Sequence, residues 1–248
     1  MLVSKGAFSH HEGMKLTHLG HACFSVALPV DCGGARLLFD PFLTSNPLAQ
    51  AAGLSAGKIG ADYVLISHGH FDHVEDAVAV LKRTGAKAVA AYEICDWLKA
   101  QGVAEGQLLP MNIGGTLRLD FGTVQMVAAV HSSTLPDGAS GGNPGGFVVR
   151  TGAGAFYYSG DTALTLDMQL IPRKGALRFA ILCVGDTFTM GPEDALEAAR
   201  MVECDEVVGV HCDTWPPIAI DSKEAKGLFK KAGKTLHLLK PGEEIDFA

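Results

Sequence analysis

The sequence predicts an α/β fold with helices on the outer face of a sheet. Three observations carry that prediction. Strand-like and helix-like segments alternate through residues 63–102, hairpin patterns recur at 23–39, 116–130 and 147–158, and several apolar runs stop at a histidine or an aspartate. At 248 residues, 48% of them hydrophobic, the chain is long enough for one large α/β domain or two small ones, with a sizeable core.

The elements justify this in order. Residues 15–19, 23–28 and 36–39 read as successive strands, with Cys32-Gly33-Gly34 turning one hairpin. His18 lies inside the first strand and reads as a satisfied core or surface residue, whereas His21, in the turn Gly20-His21-Ala22, is the better candidate for a pocket role. Asp40 closes the third strand before Pro41, either as a turn residue or as support behind the histidines described below. Residues 44–60 are rich in small residues and read as a loop with at most a short helix. The strand at 63–67 is followed by a helix at 75–84, with Ala77, Val78 and Leu81 at helical spacing and Gly85 as its stop. A strand at 87–91 and a helix at 93–101 complete a βαβ rhythm. Residues 116–119 and 123–130 pair around Asp120-Phe121-Gly122, and the second strand runs into His131. The Gly-, Pro- and Ser-rich stretch 132–146 beside it reads as a pocket wall or lid, and 140–146 as a weak candidate for anion binding through backbone N–H groups. A further hairpin at 147–150 and 155–158 leads into Ser159-Gly160-Asp161. The continuous apolar run 179–184 suits a strand buried on both faces and ends in Gly185-Asp186. Pro192 starts a helix with Glu193 and Asp194 in its first turn, 207–210 is a strand ending in His211, Asp221 opens the last helix, and 235–239 is the closing strand.

The densest chemistry is Ile66-Ser67-His68-Gly69-His70-Phe71-Asp72-His73-Val74, which packs three imidazoles and a carboxylate into six residues. Those are the ligand types that zinc and similar divalent ions prefer. His131, Asp161 and His211 each follow another strand, and strand ends on one edge converge where α/β folds place their sites. The seven residues exceed what one four-coordinate ion needs. They suit two ions, with His68, His70 and His131 holding the first, Asp72, His73 and His211 the second, and Asp161 bridging. Two such ions lower the pKa of a water between them from 15.7 toward about 7 and polarise a carbonyl or phosphoryl oxygen. Asp72, Asp161 and His21 are therefore the expected catalytic residues, with Asp186, Thr189 and Met190 expected at the substrate. Cys212 adjoins His211 and is expected to point to the opposite face of the strand.

The run 68–73 matches the His-x-His-x-Asp-His signature of the metallo-β-lactamase superfamily. Together with Gly20-His21-Ala22, Asp40-Pro41-Phe42-Leu43, His131-Ser132-Ser133, Gly160-Asp161-Thr162, Gly185-Asp186 and Thr189-Met190-Gly191-Pro192-Glu193-Asp194-Ala195, the chain resembles metal-dependent hydrolases related to ascorbate-6-phosphate lactonase. The resemblance implies an αββα metallo-β-lactamase-like four-layer sandwich with internal pseudo-symmetry. It places the metals at one edge, with zinc or manganese as usual occupants. One departure stands out: relatives often carry Tyr-Asn after the last ligand histidine, where this chain has Cys212-Asp213.

The resulting expectation is a hydrolase acting on an ester, lactone or phosphodiester of a small metabolite, with two divalent ions, zinc by preference or manganese. A phosphodiesterase or nuclease on the same site and a non-catalytic metal-dependent binding protein are the rivals. A net charge of −7 disfavours nucleic acid as a partner. A di-iron redox version would need a carboxylate in place of one motif histidine and an electron-carrying domain, and neither is seen. Six cysteines without a Cys-x-x-Cys pair fit free thiols in the cytoplasm, and no uncharged apolar stretch reaches membrane-spanning length. Residues 1–13 are polar, with His10 and His11 expected to be solvated, and read as an N-terminal extension to a hydrolase domain at 14–248. Self-association is left open.

Overall fold

The computed structural model describes residues 13–248. The expected extension thus lies, apart from Gly13, outside the described residues, as do His10 and His11.

Strands β1 (Met14–Gly20), β2 (Cys23–Ala27) and β3 (Arg36–Phe39) pair antiparallel, and β4 (Tyr63–Leu65), β5 (Lys87–Ala91) and β6 (Leu108–Met111) then continue the sheet in parallel. The second sheet repeats the plan. Strands β7 (Thr116–Leu119), β8 (Gly122–Ala128), β9 (Gly145–Thr151) and β10 (Gly154–Tyr158) are antiparallel, and β11 (Phe179–Cys183), β12 (Glu206–Val210) and β13 (Thr235–His237) are parallel. The last strand, β14 (Glu244–Phe247), returns to pair antiparallel with β1, so each sheet has seven strands.

Aromatic side chains from both sheets meet in the core between them. Phe24 stacks on Phe39 at 4.5 Å, Phe39 meets Phe156 edge-on at 5.9 Å, and Phe156 stacks on Phe179 at 5.0 Å. All four are fully buried, and each such burial contributes roughly 1.5–3 kcal/mol. Helices α1 (Pro47–Ala51), α2 (Phe71–Val74), α3 (Ala77–Thr84) and α4 (Tyr92–Ala100) belong to the first half, and α5 (Pro192–Met201) and α6 (Ser222–Lys231) to the second. On the outer face of the second sheet, Tyr157, Ala180 and Leu182 pack against Ala195, Ala198 and Ala199 of α5 and Phe229 of α6. Ile94 and Leu98 of α4, with Val80 and Leu81 of α3, join the core of the first sheet. Two sheets flanked by helices realise the expected sandwich.

Three local expectations are corrected. The helix expected at 75–84 starts two residues later, as α3 at Ala77, because the buried Asp76 turns its carboxylate back onto the 41–46 loop. There it accepts the N–H groups of Leu43 and Thr44 at 2.7 and 2.9 Å and the Thr44 hydroxyl at 2.5 Å. β6 was not expected: its Pro110 is tolerated because the strand lies at the sheet edge. The chain closes on β14 rather than β13, through a pairing with β1 that no local pattern signals.

Candidate metal centre

Strand direction explains why the chemistry gathers at one edge. β1, β3, β4 and β5 run the same way in the first sheet, and β8, β10, β11 and β12 do so in the second. His21, Asp40 and the His68 motif therefore follow strand ends of one sheet, and His131, Asp161 and His211 those of the other. Four of the residues at these ends have left-handed backbone without being glycine: His21 (φ 57°), Asp40 (φ 42°), Asp186 (φ 60°) and His211 (φ 59°). Such strain clusters where a side chain must be aimed rather than relaxed.

The motif is held before it reaches the centre. Asp40 accepts the Ser67 N–H at 2.8 Å, the Ser67 hydroxyl at 2.6 Å, the Tyr158 hydroxyl at 2.6 Å and His73 Nδ1–H at 2.8 Å. The Ser67 hydroxyl also lies 3.0 Å from His68 Nδ1. α2 begins right after His70, so Asp72 and His73 sit on a helical turn and project inward together.

At the centre, one oxygen of Asp161 faces four imidazoles. Its Oδ2 lies 2.9 Å from His211 Nε2, 3.3 Å from His73 Nε2, 3.7 Å from His131 Nε2 and 3.9 Å from His68 Nε2. Asp72 Oδ2 lies 3.0 Å from His21 Nε2 and 3.9 Å from both His73 Nε2 and His211 Nε2. His68 Nε2 and His70 Nδ1 are 2.9 Å apart. Three groups have donor atoms within 4.8 Å of one another: His68, His70 and His131; His21, Asp72, His73 and His211; and His68, His73 and Asp161.

Electrostatics at this centre calls for positive charge. Burial works against a charged His73, but Asp161, Asp40 and Asp72 outweigh it and hold this imidazole well above its usual range. Burial also works against a charged Asp161, yet His211 and His73 hold it well below the carboxylate range. Burial lowers His68, with His73 adding to it, and lowers His70 and His131 as well. Among the described residues, His73 Nε2 and Asp161 Oδ1 are buried without a hydrogen-bond partner. Unpaired ligand atoms of the right chemistry around an anionic centre fit divalent cations.

The remaining expected residues divide. His21 is 1% exposed and belongs to a donor group; burial, with His211 adding to it, pushes its pKa down to about 4. Its ring is therefore neutral: Nε2–H donates to Asp72, and Nδ1 accepts the Thr214 hydroxyl at 2.8 Å. Met190 is corrected. It is 1% exposed among Leu182, Ala195 and their neighbours, and its N–H donates to the Thr162 carbonyl, so it braces the Asp161 loop instead of meeting a ligand. Asp186 is exposed, lies outside the donor groups and borders a groove with Glu193 and Asp221 between α5 and α6. Thr189 is half-buried, with its hydroxyl on the Met190 carbonyl. Cys212 does not obey strand alternation, because β12 ends at Val210 and His211 has already left the strand. The 132–146 stretch is a fixed wall: the Ser133 hydroxyl accepts the Gly69 N–H at 3.0 Å, and Leu135 and Gly141 pack on Gly69.

Sequence reasoning missed Tyr158, Thr214 and Trp215. Tyr158 reads locally as one more core aromatic. The ring of Trp215 lies 4.9 Å from that of His21 and 6.2 Å from that of Phe71; its only local signal is its place three residues after the unusual Cys212.

Comparisons with known proteins agree with this geometry. Residues 35–212 match the family model described as Beta-lactamase superfamily domain. The chain is 45% identical over 232 residues, 94% of its length and 99% of the relative's, to a protein of Methylacidiphilum infernorum named UPF0173 metal-dependent hydrolase. A protein of the same name from Flavobacterium johnsoniae is 44% identical over 233 residues, covering 94% of this chain and all of the relative. Among solved structures, Igni18, described as a novel metallo hydrolase from the archaeon Ignicoccus hospitalis, superposes with a TM-score of 0.82 at 33% identity, covering 95% of this chain and 98% of that one. No helix of the described residues is long and apolar enough to cross a membrane, and all six cysteines are free.

Proposed function

The chain belongs to the β-lactamase superfamily as a metal-dependent hydrolase, and on that premise we propose that it cleaves an ester, lactone or phosphodiester of a small molecule with two divalent ions. His68, His70 and His131 would hold one ion, Asp72, His73 and His211 the other, with Asp161 between them. When bound, two such ions make water nucleophilic near neutral pH and polarise the bond under attack. Zinc is the preferred occupant of this imidazole and carboxylate set, with manganese second.

The observation that carries this reading is the position of Asp161. A single buried carboxylate oxygen faces four imidazoles from three separate segments, two in each proposed set. Around it, the chain's own residues orient and hold. His21 donates to Asp72 and fixes the carboxylate that orients the attacking water. Asp40 accepts the hydrogen bond of His73 Nδ1–H and leaves Nε2 facing inward as the ligand atom. Outer partners of this kind set the tautomer and direction of a ligand histidine. The six free thiols suit a reducing compartment, and we place the protein in the cytoplasm on that ground.

Elemental analysis of protein purified without added metal, beside a His70→Ala variant, tests the reading. About two equivalents of zinc or manganese, sharply reduced in the variant, are expected. A single equivalent after reconstitution would overturn the two-ion arrangement, and none would overturn the mechanism.

A further inference from the structure

Beside the metal donors, one carbonyl joins the main chains of the two halves. The His21 carbonyl, just after β1, accepts the N–H of His211, just after β12, at 3.1 Å. Both residues have left-handed backbone, a conformation sparsely populated by residues with a Cβ, so the bond helps to hold two strained turns. A carbonyl oxygen has two lone pairs, and the second is also used here: His18 Nε2 lies 3.2 Å away.

The chain builds His18 for that contact. Strand alternation puts it on the same face of β1 as the buried Met14 and Leu16, and it is 7% exposed. The β1–β2 register shifts between His18 and Gly20, and such a bulge re-aims side chains beside an active site. The turn before β14 grips the residue: the His18 N–H donates to the Glu243 carbonyl at 3.0 Å, and the His18 carbonyl accepts the Gly242 N–H at 2.7 Å. The unexpected pairing of β14 with β1 thereby reaches the centre.

Burial holds the His18 ring below its usual range, against the carbonyls of His21, Leu239 and Lys240 around it. At neutral pH the ring therefore carries one proton, and a carbonyl only accepts, so that proton sits on Nε2. Nδ1 is buried without a hydrogen-bond partner among the described residues, because the carbonyls nearby have nothing to donate. A buried nitrogen left unpaired costs stability, so packing alone does not account for a histidine here.

We propose that His18 is a positioning residue for the second donor set, Asp72, His73 and His211, acting through the His21 carbonyl; this rests on the two-ion hydrolase reading. Its Nε2–H fixes the peptide plane after His21. That plane steers the His21 ring, whose Nε2–H donates to Asp72 at 3.0 Å. It also seats the main chain of His211, whose Nε2 faces Asp161 at 2.9 Å and Asp72 at 3.9 Å. His68 and His70 lie outside this relay, against Ser67 and Ser132.

The test compares His18→Phe, which keeps a buried ring without the donor, and His18→Gln, whose amide N–H has a similar reach, with the parent. Chelator competition on the zinc-loaded chains reads each ion, and urea unfolding reads stability. In the Phe variant one of the two ions is expected to bind about tenfold more weakly, the low end for an outer partner. The other ion should stay within about twofold, and the urea midpoint should not fall, since the unpaired nitrogen is gone. The Gln variant should recover most of the loss. Ring NMR signals of His73 and His211 should move more in the Phe variant than those of His68, His70 and His131. Equal weakening of both ions, no weakening, larger shifts in the first set, or a Gln variant as weak as the Phe variant overturns the inference. A Phe variant that fails to fold also overturns it, by making the ring's role structural. A parent that binds a single ion overturns the two-ion reading instead; the inference then stands if that ion weakens in the Phe variant and recovers in the Gln variant, and falls otherwise. A parent that binds none overturns both.

Discussion

In the first sheet β3 ends in Asp40; in the second, the strand at the same station, β10, leads into Asp161. The correspondence is general, since each sheet has three antiparallel pairings followed by three parallel ones. It also matches His21, after β1, with His131, after β8. The matched residues share a type but not a situation. Asp40 is surrounded by protein donors, four hydrogen bonds from Ser67, His73 and Tyr158. Asp161 keeps Oδ1 without a partner among the described residues and turns Oδ2 to four imidazoles. A carboxylate saturated by its own protein is a brace, and one left unsaturated in the same dry setting is a ligand. The histidines divide likewise. His21 has both nitrogens bonded within the protein, whereas His131 has a partly exposed side chain with Nε2 turned to Asp161.

The sharpest way to break this comparison is to substitute the two aspartates in parallel. Asp161→Asn should remove metal from both sets and lower kcat/KM by about a thousandfold or more, beyond the 10–100-fold typical of an outer partner. Asp40→Asn should fall within that outer-partner range and lower stability by about 1–3 kcal/mol, since buried donors lose their acceptor. Metal content, kcat/KM and denaturant unfolding of both variants check this. Equal losses would mean that the two stations are not functionally distinct.

Tyr158 sharpens the comparison further, because it reaches from the second half to the brace of the first. Tyr158→Phe keeps the ring that packs on Phe24 and Phe39 and removes only the hydroxyl. A stability loss of about 1 kcal/mol is expected, with metal affinity lowered up to about tenfold. Chelator competition reads the affinity and urea unfolding the stability. A variant that unfolds normally and holds metal as tightly as the parent would remove Tyr158 from the network.

The cluster of donors was legible and the residues behind it were not, for a physical reason. The clustered donors advertise themselves by type and position: three histidines and an aspartate in six residues, then His131, Asp161 and His211 just beyond apolar strands. Tyr158 has no such mark, since its partner is 118 residues away. Asp76 looked like a helix opener, and only its bonds to Leu43 and Thr44 show that it also ties down the 41–46 loop. β14 pairs with β1 across nearly the whole chain. Met190 sits in a plausible loop but faces the core, which depends on how α5 packs. Periodicity and motif report what is local, and these roles are set by contacts across the sandwich.

The smallest effect is expected at Cys212, which adjoins His211 of the second donor group and has a donor atom that zinc accepts. Its sulfur belongs to none of the donor groups among the described residues. Burial, with Asp213 beside it, pushes the thiol up to about 12. At neutral pH the free thiol is therefore an S–H group rather than a thiolate nucleophile. Cys212→Ser should keep metal content unchanged and kcat/KM within about twofold, because the change is nearly isosteric at a half-buried position. Iodoacetamide should leave the native enzyme active. Loss of one metal equivalent in the serine variant would put sulfur into the second donor set. The division between bracing and ligating residues would then have to be redrawn around His211 rather than Asp161.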